Sequence, residues 1–181
     1  VLPAPSDGWL PDLARIPSPN FDARPAATVI DLLVIHAISL PPRRYGGPYI
    51  ADLFLNRLDL AADPYFAGLA GLRVSAHFLI RRDGATLQFV SIHDRAWHAG
   101  VSRFGERTAC NDFSIGIELE GCDEDAFEAP QYAALIALTR RIRHECPAIT
   151  PERIVGHVDI APGRRTDPGP CFDWERYRAG L

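Results

Sequence analysis

Two histidines and a carboxylate, far apart in the chain, have the right chemistry to hold one metal ion. His36 ends the apolar run Leu32–Ile35, and His157 ends the short run RIVGH. Asp167 follows within TDPGP, where Pro168 and Pro170 restrict the backbone. Strand ends on a rigid scaffold aim side chains into clefts, and a stiff loop holds a ligand atom close to its productive position. Two neutral imidazoles and one carboxylate suit zinc and leave a fourth tetrahedral position for water. The same residues also read as a hydrogen-bonded core histidine and a turn-forming aspartate. No HExxH motif is present to decide between the two.

Glu118 is the second candidate. It interrupts the apolar alternation of FSIGIELEG, and a carboxylate there is costly unless its face meets water, a cation or a metal site. Beside a metal-activated water it is a general base. Glu118 and Glu120 also lie on one strand face, roughly 6–7 Å apart by strand geometry, which is in range of a glycosidase acid/base pair. A third reading leaves both as ordinary charges on a solvated face. Arg164 and Arg165 sit between His157 and Asp167, where a cation can stabilise an oxyanion. Trp97 and Tyr45 offer flat apolar faces, and Arg73 and Arg107 are possible carboxylate clamps.

These residues need elements to position them. DLLVIHAIS reads as a strand buried on both faces. VSAHFLIRRDGATLQFVSI reads as a hairpin turning at Asp83-Gly84. FSIGIELEG alternates as a strand, with Ile115, Ile117 and Leu119 on one side. Residues from about 130 to 146 form a helix with Pro130 in its first turn and Tyr132, Leu135, Ile136 and Ile142 on one stripe. RIVGH is another short strand, and DWERYRAG a closing helix. Residues 41–71, rich in Pro, Gly and Asp around a helix-like YIADLFLNRL, are an excursion suited to a lid or binding wall. The Pro-rich residues 1–28 form an N-terminal segment wrapping the surface, and residues 29–181 the catalytic domain. The fold class is α/β (α+β), one domain with a central mixed or mostly antiparallel β-sheet flanked by helices.

Bulk properties fit that plan. The chain has 181 residues, 47% of them hydrophobic and 23% charged, enough for one domain with a core. A net charge of −4 without a basic stripe argues against a nucleic-acid partner. No apolar run approaches a membrane span, and VLPAPSDGWLP lacks the pattern of a signal peptide. The four cysteines form no CxxC pair, and a reduced cytosolic setting is expected.

Taken together, LVIHAISLPP, GGPYI, DPYFAGLAGLRVSAHFLIRRDG, RAWHAGVS, NDFSIGIELEG and GHVDIAP with TDPGPCFDW resemble the AmpD-type 1,6-anhydro-N-acetylmuramyl-L-alanine amidases of bacterial cell-wall recycling. These zinc amidases share a fold superfamily with phage lysozyme-amidases and animal peptidoglycan recognition proteins. The resemblance runs from about Gly8 to Tyr177. It implies one zinc ion on His36, His157 and Asp167, and Glu118 as the catalytic glutamate. It implies hydrolysis of the amide between the lactyl group of anhydro-N-acetylmuramic acid and L-Ala. The setting it implies is a cytoplasmic monomer acting on small soluble anhydromuropeptides. An amidase of intact wall outside the cytoplasm, or a muropeptide-binding module without catalysis, are the alternatives.

Three positions depart from the family pattern. Arg165 stands where a Lys usually precedes the ligand Asp by two, and keeps the charge in a planar group that is harder to deprotonate. Ala37 replaces an Asn after the first ligand His. Ala109 replaces an Arg before CNDF, with Arg107 two residues earlier. Arg165 is expected to stabilise the oxyanion, and Arg73, Trp97 and Arg107 to contact sugar or peptide.

Overall fold

The computed structural model describes residues 7–181. In chain order the elements are β1 (Ala14–Arg15), β2 (Phe21–Asp22), β3 (Leu32–Ile38), α1 (Tyr49–Phe54), β4 (Phe78–Ile80) and β5 (Thr86–Gln88). Then come β6 (Arg95–Ala96), β7 (Arg103–Phe104), β8 (Arg107–Thr108), β9 (Ser114–Glu120), α2 (Ala129–Glu145), β10 (Ile154–Gly156), α3 (His157–Ile160) and α4 (Trp174–Ala179). Six strands form the central sheet in the order β1-β5-β4-β9-β3-β10. Only β4 and β5 pair antiparallel, and the other neighbours run parallel. The sheet is therefore mixed and mostly parallel. Its two long strands, β3 and β9, are central, and helices or loops cover both faces. This accounts for the unbroken apolar run of β3, whose Leu32, Leu33, Val34 and Ile35 are all fully buried.

One face of the sheet carries Leu33, Ile35, Ile115 and Ile117, packed against Tyr132, Leu135, Leu138 and Ile142 of α2. That stripe recurs at helical spacing, which gives α2 its buried side. Pro130 sits in its first turn, where its missing N–H costs nothing. Gln131 accepts the Glu128 N–H through Oε1 at 3.0 Å and donates from Nε2 to the Glu120 carbonyl at 3.0 Å. The helix start is thus tied to the end of β9. The turn between β4 and β5 places Gly84 at φ +87°, and a Cβ there would meet the Pro130 carbonyl at 2.9 Å. Only glycine satisfies both demands.

Residues 41–71 fold as α1 and a 3-10 segment, Pro64–Leu69, over the other face. Ile50, Leu53, Phe54 and Phe66 pack there with Leu79 and Phe89. The first six residues of the expected N-terminal segment lie outside the described residues. From residue 7 the segment runs along the domain and supplies β1 to the edge of the central sheet and β2 to a small sheet with β6. No helix among the described residues is long and apolar enough to cross a membrane.

Candidate metal and catalytic site

The parallel pairing of β3 and β9 sets His36 directly beside Glu118. Laterally paired residues of neighbouring strands project from the same face of a sheet, about 4.8 Å apart. His157 is delivered from the other side. β10 pairs with β3 as far as Gly156↔Ile35, and His157 then opens α3. The loop after α3 folds back until the Val158 N–H donates to the Asp167 carbonyl at 3.0 Å. Arg164 and Arg165 both donate backbone N–H groups to the Ala161 carbonyl. Pro and Gly in this loop serve that reversal.

The result is a tight three-residue cluster. His36 Nδ1 and His157 Nδ1 are 3.0 Å apart, and each lies 3.1 Å from Asp167 Oδ2. Both histidines are buried, and Asp167 is half-buried. His157 Nε2 lies 3.2 Å from the Ala99 carbonyl oxygen. A carbonyl only accepts, so Nε2 carries the proton and Nδ1 of neutral His157 presents a lone pair to the cluster. Lone pairs and a carboxylate oxygen gathered this closely repel one another unless a cation lies among them. Two imidazole nitrogens and one carboxylate oxygen form a donor set suited to a divalent transition metal, and the residues present fit such an ion.

Glu118 lies in the same cleft. It is buried, and its Oε2 has no hydrogen-bond partner among the described residues. Burial pushes its carboxyl well above the usual range; the Asp167 charge adds to this and Arg165 opposes it. Glu120, its neighbour on that face, is also buried but is fully engaged. It accepts the Gly46 N–H at 2.6 Å and the Arg82 N–H at 3.1 Å, with Arg81 at 3.9 Å. The two carboxylates therefore differ in kind, and neither lies on a solvated surface. Glu120 anchors the loop before α1, which removes the acid/base pairing with Glu118.

The cleft has a volume of about 280 Å³. Glu118, His157, Arg165 and Asp167 line its polar end, and Leu53, Phe54, Leu69 and Leu72 its apolar wall. Residues 41–71 thus build a wall. Trp97 also lines the cleft, with its indole N–H donating to Asp22 at 3.1 Å. Arg164 turns away and donates to the Ala99 and Val101 carbonyls at 2.6 and 2.7 Å. Arg73 borders an adjoining groove that shares Leu53, Leu69 and Leu72 with the cleft. Arg107 is not brought to the cleft. It pairs with Asp31 at 2.7 Å and lies over the Phe113 ring.

Sequence reasoning missed His98. It lines the cleft and places Nδ1 2.9 Å from His36 Nε2. It follows the two-residue β6, too short to show as a strand by periodicity. Its one signal is a histidine beside Trp97 in a tight loop.

An α/β domain that gathers two histidines, an aspartate and an unpartnered glutamate in one cleft has the parts of a metal-dependent hydrolase. Residues 26–170 match the N-acetylmuramoyl-L-alanine amidase family. The 1,6-anhydro-N-acetylmuramyl-L-alanine amidase AmpD of Citrobacter freundii is 55% identical over 173 residues, 96% of this chain and 92% of the relative. A crystal structure of a selenomethionine AmpD derivative superposes with a TM-score of 0.95 at 53% identity, covering 98% of this chain and 99% of that one. The amidase AmiD of E. coli, in complex with the substrate anhydro-N-acetylmuramic acid-L-Ala-D-γ-Glu-L-Lys, gives a TM-score of 0.61 at 32% identity, covering 87% and 60%. The chain belongs to the N-acetylmuramoyl-L-alanine amidase family and is an enzyme of that class.

Proposed function

We propose that this enzyme hydrolyses the amide between the lactyl group of 1,6-anhydro-N-acetylmuramic acid and the L-Ala of the stem peptide, using one zinc ion held by His36, His157 and Asp167. The observation that carries this reading is the convergence of His36 Nδ1, His157 Nδ1 and Asp167 Oδ2 in the cleft that also holds Glu118 and Arg165. The names and bound substrate of the similar amidases supply the bond cleaved.

When bound, zinc supplies a Lewis acid that polarises a carbonyl and lowers the pKa of water. The chain's own residues do the rest. Glu118 takes the proton of the attacking water and passes it to the leaving nitrogen of L-Ala. Its buried carboxyl lines the cleft with Oε2 unpartnered, so it is placed to take that proton and hand it on. Arg165 places a fixed positive charge beside the carbonyl oxygen as negative charge develops there. It acts by charge alone, since a guanidinium does not give up a proton in a protein. The apolar wall and Trp97 exclude water and receive the sugar, and Arg73 reaches the stem-peptide carboxylates from the adjoining groove.

The substrate is a small soluble anhydromuropeptide, and the setting a cytoplasmic recycling route. Four unpaired cysteines suit a reducing compartment. Mass spectrometry of products from purified anhydromuramyl-tripeptide, with and without a zinc chelator and beside intact sacculi, tests this. The reading predicts chelator-sensitive release of tripeptide and anhydro-sugar. Cleavage of sacculi alone, or binding without cleavage, would reject it.

A further inference from the structure

We propose that the His98–Ala99 dipeptide, clamped by Asn111, fixes the ring orientation and tautomer of both metal-ligating histidines. This rests on the zinc reading above and extends it to residues with no place in the ligand set. The two ligands come from elements 121 residues apart, yet their outward nitrogens meet consecutive residues. His157 Nε2 donates to the Ala99 carbonyl at 3.2 Å, and His36 Nε2 faces His98 Nδ1 at 2.9 Å.

The tautomers along this chain follow from what each atom is able to do. His36 must offer Nδ1 to the metal, so its proton sits on Nε2 and is donated to His98 Nδ1. His98 then carries its own proton on Nε2, which lies 3.2 Å from Ser114 Oγ and donates there. A His98 with the proton on Nδ1 would oppose two N–H groups and turn the His36 ring. A ligand imidazole whose second N–H is fixed by a partner is held in orientation and made more basic.

The dipeptide is itself held. Asn111 Oδ1 accepts both the His98 N–H at 3.2 Å and the Ala99 N–H at 2.8 Å. The Asn111 carbonyl is fixed in turn by Arg24 Nη1 at 3.0 Å. Arg164 adds a second donor to the Ala99 carbonyl. Gly116 leaves the space: a Cβ there would meet His98 Cγ at 2.5 Å. One amide oxygen thus sets two consecutive residues, and they set the two rings. Asn111 and His98 are positioning residues.

The test is zinc affinity, measured by competition with a chromogenic chelator on the full-length protein. His98→Phe and Asn111→Leu are expected to weaken zinc binding about 10- to 100-fold. Asn111→Asp, which keeps the acceptor oxygen, is expected to stay within about threefold of wild type. Affinity near wild type in both His98→Phe and Asn111→Leu would overturn the inference while leaving the zinc reading intact. Wild-type protein that binds no zinc would overturn both. Nitrogen-15 shifts of the histidine rings in zinc-loaded wild type give a check that needs no variant. The inference requires His98 protonated on Nε2 and bare on Nδ1, and the reverse assignment would overturn it.

Discussion

His36 and Glu118 are lateral partners in the parallel pairing of β3 with β9, so the backbone register alone puts an imidazole of the His36–His157–Asp167 cluster and the Glu118 carboxylate beside each other on one sheet face. A one-residue slip would send Glu118 into the apolar layer beneath α2 and bring Ile117 or Leu119 to the cleft. The alternation of Ile115, Ile117 and Leu119 into the core resists that slip. Packing on one side of the sheet therefore fixes which side chains face the cleft on the other.

The first expectation concerns Glu118. Glu118→Gln preserves shape and removes the proton acceptor. Turnover of anhydromuramyl-tripeptide is expected to fall by about 10²–10⁴-fold, with zinc content and thermal unfolding close to wild type. The carboxyl is buried without a partner for Oε2, so its neutral isostere creates no new unpaired charge. A variant with near-normal kcat would remove Glu118 as the base.

Arg165 separates charge from proton exchange. Arg165→Lys keeps the charge in the cleft, and Arg165→Ala removes it. The alanine variant is expected to lose about 10²–10³-fold in kcat with little change in KM, because the charge acts mainly as the oxyanion forms. The lysine variant is expected to keep most of the rate. Steady-state kinetics on both variants would decide, and an unchanged kcat in Arg165→Ala would refute the role.

His77 predicts how stability responds to acid. It is fully buried, and its Nδ1 accepts the Gly116 N–H at 3.0 Å, so the neutral ring carries its proton on Nε2 and donates to the Asp94 carbonyl at 3.1 Å. Burial, with the Arg24 charge beside it, lowers its pKa to about 3. A folded pKa below the unfolded value of about 6.5 means the unfolded chain binds the extra proton between those limits. The stabilisation is present above about pH 6.5 and is lost as pH falls toward about 3. Urea midpoints taken with chelator at pH 7.5 and pH 5 should fall with acid. His77→Leu should show a shallower fall, and an identical slope in that variant would argue against it.

Gly116 makes a packing prediction. It lies mid-strand in β9, and an added Cβ would meet the His98 ring at 2.5 Å. Gly116→Ala is expected to destabilise the fold by about 1–3 kcal/mol through overpacking. It should also weaken zinc binding, because the displaced ring is the one facing His36. Chemical denaturation with zinc titration reads both effects, and an alanine variant as stable and as metal-tight as wild type would contradict the contact.

Much of this site was legible in the sequence, for identifiable reasons. β3 and β9 are long and strongly patterned, so His36 and Glu118 could be placed on strands and α2 could be bounded nearly to the residue. The sheet's direction was less accessible. Pairings between distant segments, such as β10 with β3, leave no local pattern, so a mostly parallel sheet could not be told from an antiparallel one. His98 follows the two-residue β6, and Asn111 sits in a short 3-10 turn between β8 and β9, where periodicity carries no signal and position depends on single hydrogen bonds. Arg107 looked free because Asp31, its partner, lies 76 residues away.

Glu118 and Glu120 share a strand face and a residue type, but the structure gives them different surroundings: Glu118 lines the cleft with Oε2 unpartnered, and Glu120 is tied to backbone N–H groups. Glu120 is 1% exposed and accepts backbone N–H groups from Gly46 and Arg82. Those bonds pin the loop before α1 to the end of β9. Removing the carboxylate takes the charged acceptor from two part-buried N–H groups, and charge-assisted bonds of this kind are worth about 1.5–3 kcal/mol each. Glu120→Ala is therefore expected to lower the unfolding free energy by about 1–3 kcal/mol. The chemical step should change far less than in Glu118→Gln, because Glu120 does not line the cleft. Paired measurements of urea midpoint and kcat on the two variants test this. A Glu120→Ala protein that keeps full stability but loses turnover as Glu118→Gln does would return Glu120 to the chemistry and undo the division between the two.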